Sequence, residues 1–158
     1  MSAGPVRGTE PLVVLLLSGP NLGILGERQP ELYGRATLEE HRAAAEAAAS
    51  AAGLTLEHFR SDREGALVEA VHAARRRVAG IVINPGALTH YAWSLHDALA
   101  AFDGPIVELH LSNPARREPW RHVSVVSPVA DAVIAGLGPD GYPVAVRALA
   151  GLIARRTG

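Results

Sequence analysis

Six consecutive apolar residues, Leu12–Leu17, stop abruptly at Ser18-Gly19-Pro20. A run this short and unbroken reads as a strand buried on both faces, the signature of a parallel sheet. It is far too short to cross a bilayer. It also makes a poor signal peptide, with a proline just before it and no small-residue cleavage site after it. Parallel strands need crossovers, usually helices, and the rest of the chain supplies them. Thr37 and Glu40 form a capping-box pair ahead of an alanine-rich helical segment that runs to Ala52 and stops at Gly53. Leu54, Leu56 and Phe59 mark a second strand. A helical segment over 64–77 carries Leu67, Val68, Val71 and Ala74 on one face. Gly80–Ile83 is a third strand, Tyr91–Phe102 a helix, Pro105–Leu111 a fourth strand and Val123–Val126 a short fifth strand. After the turn Gly136-Leu137-Gly138-Pro139, the stretch Tyr142–Arg156 closes the chain as a helix.

Strands alternating with helices predict an α/β fold with helices on both faces of a parallel sheet. Five strands at this length fit a flavodoxin-like order, 2-1-3-4-5. Residues 12–158 then make one domain, preceded by a flexible tail over residues 1–11 that is rich in Gly, Pro and polar residues. In this class ligands bind beyond the carboxyl ends of strands 1, 3 and 4.

Composition narrows the chemistry. The 158 residues carry a formal net charge of -1, which points to neither nucleic acid nor a membrane surface as partner and leaves the cytoplasm as the expected location. There is no cysteine, hence no thiolate nucleophile and no cysteine-ligated metal. All 15 basic residues are arginine, so no lysine is present to form a Schiff base or serve a phosphate loop. Covalent amine catalysis is excluded before any motif is considered.

Three polar clusters fall at the three strand ends. The first is Gly19-Pro20-Asn21-Leu22-Gly23, followed by Arg28 and Tyr33. The second is Asn84-Pro85-Gly86-Ala87-Leu88-Thr89-His90, and the third is Glu108-Leu109-His110-Leu111-Ser112-Asn113, followed by Arg117 and Arg121. An asparagine after a strand is often only a turn former, so neither Asn21 nor Asn84 says much alone. Glu108 and His110 lie two apart on one strand and face the same side. A carboxylate there can fix the imidazole tautomer and make it an oriented general acid; the alternative is a partly buried ion pair. Tyr33 is either an aromatic pinning a loop or a base that a nearby arginine activates. His41, His58 and His72 read as surface residues. No histidine spacing suggests a metal site. Gly136–Gly141 matches G-x-G-x-x-G by letter, but it opens no βαβ unit and reads as a turn.

Together the stretches GPNLGILGERQPELYG (19–34), INPGALTHYAWSLHDAL (83–99), VELHLSNPARREPWRHVS (107–124) and GLGPDGY (136–142) resemble type II 3-dehydroquinate dehydratase, over about Leu12 to Leu152. The resemblance implies a flavodoxin-like enzyme that converts 3-dehydroquinate to 3-dehydroshikimate without a cofactor, by anti elimination through an enolate, in aromatic biosynthesis or quinate breakdown. It implies that Tyr33 takes the C2 proton, with Arg28 and Arg117 supporting its ionised form. Asn21 would hold a water at the enolate. His110, oriented by Glu108, would protonate the departing C1 hydroxyl. Asn84, Gly86, His90, Leu111, Ser112 and Arg121 would bind the substrate's carboxylate and hydroxyls, and Asp97 would reach the site of a neighbouring subunit. The resemblance also implies trimers packed into a dodecamer. This sequence departs from the family pattern in the third cluster, where Ala115 replaces a usual histidine and Pro114 and Pro119 stiffen the loop. Val123 replaces a second histidine, and His96 stands where arginine is common. Two other readings compete: a flavodoxin-like module that binds a nucleotide or flavin, and an inactive relative whose assembly is its function. The first lacks a hydroxyl in Gly19–Gly23, and the second keeps every expected catalytic side chain.

Overall fold

The computed structural model describes residues 9–158. Residues 1–8 of the expected tail lie outside the described residues, and residues 9–12 are exposed and without regular structure. Five strands follow: β1 (Val13–Ser18), β2 (Thr55–Arg60), β3 (Gly80–Asn84), β4 (Ile106–His110) and β5 (Ala132–Ala135). They form one parallel sheet in the order β2-β1-β3-β4-β5, as the alternation predicts. The helices are α1 (Pro30–Tyr33), α2 (Leu38–Ala51), α3 (Glu64–Ala74), α4 (Trp93–Ala100) and α5 (Gly141–Thr157). No described helix is long and apolar enough to cross a membrane.

Strand alternation splits the core in two. Val14, Leu16, Val82, Val107 and Leu109 face α2 and α5, where Ala45, Ala49, Val146 and Leu149 meet them. Leu15, Leu17, Ile81, Ile83 and Ile106 face α3 and α4, packing on Leu67, Val71, Leu95 and Leu99. The capping box at α2 forms as predicted: Thr37 Oγ1 accepts from the Glu40 amide at 3.2 Å, and Glu40 Oε2 accepts from the Thr37 amide at 2.7 Å. The helix is followed by Gly53 at φ 73, a left-handed position that suits glycine.

The structure corrects several expectations. Val123–Val126 is not a strand. Ser124 Oγ accepts from the amides of Val126 and Ser127, at 3.1 and 3.0 Å, and bends the chain there. The fifth strand is Ala132–Ala135, which pairs with β4 from Val107↔Ala132 to His110↔Ala135. Helix α3 ends at Ala74 instead of 77, and Arg76 sits at φ 64. Helix α4 begins only at Trp93, because Gly86–His90 is wound as a 3-10 turn. The loop over 18–34 holds a 3-10 turn, Leu22–Ile24, and the single-turn α1. His41 is a buried residue, 2% exposed, stacked on the Tyr142 ring with centroids 4.8 Å apart. Burial lowers its pKa, against an opposing pull from Glu40.

The loops after β1 and β3 touch at Gly19, whose amide donates to the Asn84 carbonyl at 2.8 Å. A Cβ on Gly19 would lie 2.6 Å from the Pro85 carbonyl oxygen, a backbone atom with little freedom to yield. Gly19→Ala is expected to lower stability by about 1–3 kcal/mol. Gly151→Ala, in α5 with nothing within 4 Å of the new methyl group, is expected to raise it by roughly 0.5–1 kcal/mol. Urea denaturation midpoints check both; an undisturbed Gly19→Ala would contradict the close approach.

Candidate active site

The three polar clusters converge at the carboxyl edge of the sheet. They wall a pocket lined among others by Arg28, Tyr33, Asn84, His110, Ser112 and Arg117. Leu111, Gly86, His90 and Arg121 also line it.

Glu108 is fully buried on β4, on the α3/α4 side of the sheet. Its Oε1 accepts from His110 Nε2 at 2.9 Å and from Ser124 Oγ at 2.8 Å, and also from the Thr89 hydroxyl. The Ser127 hydroxyl donates to Oε2. Burial alone would raise this carboxyl's pKa. The hydrogen bond and charge of His110, with the Ser127 and Thr89 hydroxyls, outweigh burial and hold it at about 2. An ionised Glu108 fixes the proton of His110 on Nε2, so Nδ1 is the nitrogen through which His110 can serve the pocket. The predicted same-side pairing of Glu108 and His110 is thus present, with His110 in the pocket wall and Glu108 buried behind it.

Across the pocket stands Tyr33, at the end of α1 and 8% exposed. Arg117 Nη1 donates to its Oη at 2.7 Å and to Ser112 Oγ at 3.3 Å. The Arg28 guanidinium carbon lies 4.6 Å from the centre of the Tyr33 ring, and that of Arg117 lies 5.3 Å from it. One hydroxyl therefore has a cation at its oxygen and another against its π face. Arg121 is bound by Glu118 at 2.7 Å and sits 3.9 Å from the Trp120 ring centre. His90 Nδ1 pairs with the Val123 carbonyl at 2.7 Å.

Besides Glu108, buried behind His110, two expected site residues are not in the pocket wall. Asn21 is exposed, at φ 67, and its amide donates to Asp62 Oδ1 at 2.9 Å. Asp97 is exposed on α4. Residues that the motifs did not single out complete the arrangement. Arg60 holds the other Asp62 oxygen at 2.6 Å, and its guanidinium fills the space that a side chain at Gly23 would need. Asp62 and Arg60 thus hold the turn that carries Asn21. Their position at the end of β2, on the same sheet edge, was the available signal. Thr89, Ser124 and Ser127 serve Glu108, and Asn84 Nδ2 donates to Tyr142 Oη at 3.2 Å. Thr89 and Ser124 lie inside the quoted stretches 83–99 and 107–124, but no spacing marked them, or Ser127 beyond, as partners of Glu108. Among the described residues no three His, Asp or Glu side chains gather as a metal would require.

A family model, dehydroquinase class II, matches residues 12–150. The chain belongs to this family. It is 51% identical over 138 residues to a 3-dehydroquinate dehydratase of Roseiflexus castenholzii, covering 87% of this chain and 88% of that one. It is equally 51% identical over 140 residues to catabolic 3-dehydroquinase 1 of Aspergillus terreus, covering 89% and 92% of the two chains. The crystal structure of type II dehydroquinase from Propionibacterium acnes superposes with a TM-score of 0.86 at 39% identity, covering 91% of this chain and 99% of that one. The flavodoxin-like order predicted from the alternation is thus that of a class II dehydroquinase.

The depressed pKa of Glu108 makes stability depend on acid. Its folded value, about 2, lies below the ordinary 4.5, so ionisation favours the folded state above pH 4.5. That stabilisation is withdrawn as pH falls from about 4.5 toward 2. Urea midpoints of the wild-type chain are expected to drop across this window, and those of Glu108→Gln to drop less steeply. Equal slopes would show that Glu108 is not held ionised as described.

Proposed function

We propose that this class II dehydroquinase dehydrates 3-dehydroquinate to 3-dehydroshikimate through an enolate. The observation that carries the reading is the opposition of two groups across one pocket: a tyrosine flanked by two guanidiniums and a histidine backed by a buried carboxylate. The relatives' names point to the same substrate.

The proton beside a ketone is weakly acidic, so the enzyme must either stabilise an enolate or replace the ketone by an iminium. The chain has no lysine to form the iminium. Tyr33 Oη, as phenolate, takes the C2 proton; the negative charge passes to the ketone oxygen. Arg117 and Arg28 balance the charge of the phenolate before transfer. Asn21 holds the water that faces the enolate oxygen. The enolate then reforms the ketone, the C1–oxygen bond breaks, and the His110 imidazolium protonates the departing hydroxide to water. Glu108 keeps that imidazolium oriented. Asn84, Gly86, His90, Leu111, Ser112 and Arg121 bind the carboxylate and hydroxyls. The family match and the relatives' names favour this reading over the nucleotide or flavin one.

The reading extends to assembly in the cytoplasm, with trimers packed into a dodecamer and Asp97 reaching the neighbouring site. Large apolar side chains stand exposed near Asp97 and the pocket mouth: Tyr91 at 61%, Trp93 at 63% and Trp120 at 55%. A surface of this kind favours a protein partner over water.

Adding 3-dehydroquinate to the purified protein is expected to produce the ultraviolet absorbance of the conjugated enone, and borohydride is expected to leave the rate unchanged. Tyr33→Phe and His110→Ala are each expected to lower kcat by about 10²–10⁴-fold. His72→Ala, on an exposed part of α3, should not change it. No absorbance rise from folded protein rejects the reading, and an active monomer in size-exclusion chromatography rejects the role of Asp97.

A further inference from the structure

The arginine-rich loop after β4 closes on a single turn that the reaction leaves unexplained. Pro119–Arg121 is wound as a 3-10 turn, with Pro119 fixing its first residue. Three residues complete such a turn, so Glu118 and Arg121 stand in line. The Arg121 amide donates to the Glu118 carbonyl at 2.9 Å, and Arg121 Nε donates to Glu118 Oε2 at 2.7 Å. Trp120, just before Arg121, lays its ring against the Arg121 guanidinium, whose carbon lies 3.9 Å from the ring centre. The same ring meets that of His90, with centroids 5.3 Å apart and planes at 83°.

Arg121 and His90 line the pocket, and Trp120 does not. The Nε bond to Glu118 is the one side-chain hydrogen bond that Arg121 makes among the described residues. One face of the guanidinium is covered by the ring, and the Nη edge is left for a ligand. His90 is a firm wall for the ring, because its Nδ1 donates to the Val123 carbonyl at 2.7 Å. A free arginine loses many rotamers when it grips a ligand, and holding it beforehand removes that cost. An aromatic face attracts a guanidinium through its quadrupole, which an aliphatic side chain lacks. Glu118 does not do this alone. Its Oε2 also lies 3.8 Å from Arg117 Nε, so one carboxylate is shared between two pocket cations.

We propose that Trp120 is a platform that fixes the Arg121 guanidinium for substrate binding, buttressed by His90. Trp120 is then a positioning residue: it acts through Arg121 and touches no substrate. The platform rests on the reading of Arg121 as a substrate ligand.

The test measures kcat and KM for 3-dehydroquinate, with circular dichroism for folding and size-exclusion chromatography for assembly. Arg121→Ala is expected to raise KM about tenfold or more. Trp120→Leu, apolar without a π face, is expected to raise KM about fivefold and leave kcat within about twofold. Trp120→Phe, which restores a π face, stays within about twofold of wild type in KM. Trp120→Leu combined with Arg121→Ala is expected to match Arg121→Ala alone, since the platform has nothing left to hold. Should Trp120→Leu fail to fold, Trp120→Met takes its place with the same expectation. If Arg121→Ala raises KM but Leu and Phe at position 120 act alike, the platform is wrong and the ligand role of Arg121 stands. Additive effects in the double variant also overturn the platform. So does a KM rise in Trp120→Leu that comes with a changed elution volume, which marks Trp120 as a packing residue. An unchanged KM in Arg121→Ala overturns the ligand role and the platform together.

Discussion

A single buried carboxylate organises the catalytic edge of this molecule. Glu108 has no exposure and carries a charge, so it must be surrounded by donors or the strand could not hold it there. The donors come from separate parts of the chain: Thr89 from the turn after β3, Ser124 and Ser127 from the segment before β5, and His110 from its own strand. Satisfying one charge therefore draws together the loops that wall the pocket. It also decides the path of residues 123–127. A strand there would use the backbone amides of Val126 and Ser127 for pairing, whereas the bend commits them to Ser124.

The sheet divides the polar work between its two faces. Glu108 lies on the α3/α4 side, and Asn84, Ser18 and Tyr142 lie on the α2/α5 side. The period of two along a strand forces this separation. Only at the carboxyl edge can the two sets act on one ligand, because there the backbone ends and loops reach over it. Tyr33 belongs to neither face. It arrives on the long loop after β1 and is tied to the loop after β4 by Arg117, so Tyr33 and His110 stand on independently supported walls.

What was legible in the sequence was local. The apolar runs gave the strands of the sheet interior because both faces of β1 and β3 are buried, and the Thr37–Glu40 cap follows from spacing alone. Glu108 and His110 were legible because two residues apart on a strand means one side. The edge strand was missed for the converse reason. Ala132–Ala135 is half-exposed and weakly apolar, while Val123–Val126 has the β-branched composition without the pairing. His41 looked like a surface residue because its burial depends on Tyr142, about a hundred positions away in sequence. Arg60 and Asp62 were passed over because their partner is a backbone amide and the bare space at Gly23, neither of which leaves a sequence mark.

The absence of lysine acquires a geometric meaning beside Tyr33. Two cations approach one phenol, one at its oxygen and the other over its ring. Arg28 lies over the ring, where a flat guanidinium can stack, and Arg117 donates in the ring's vicinity to both Tyr33 Oη and Ser112 Oγ from one nitrogen. An ammonium group is compact and strongly hydrated, and would compete for the oxygen itself instead of spreading over the π face. A guanidinium also stays charged in a partly buried wall, where an amine would lose its proton more readily. The composition that rules out an iminium therefore favours the alternative: a chain whose every basic side chain is arginine can set one guanidinium at a tyrosine's oxygen and another over its ring.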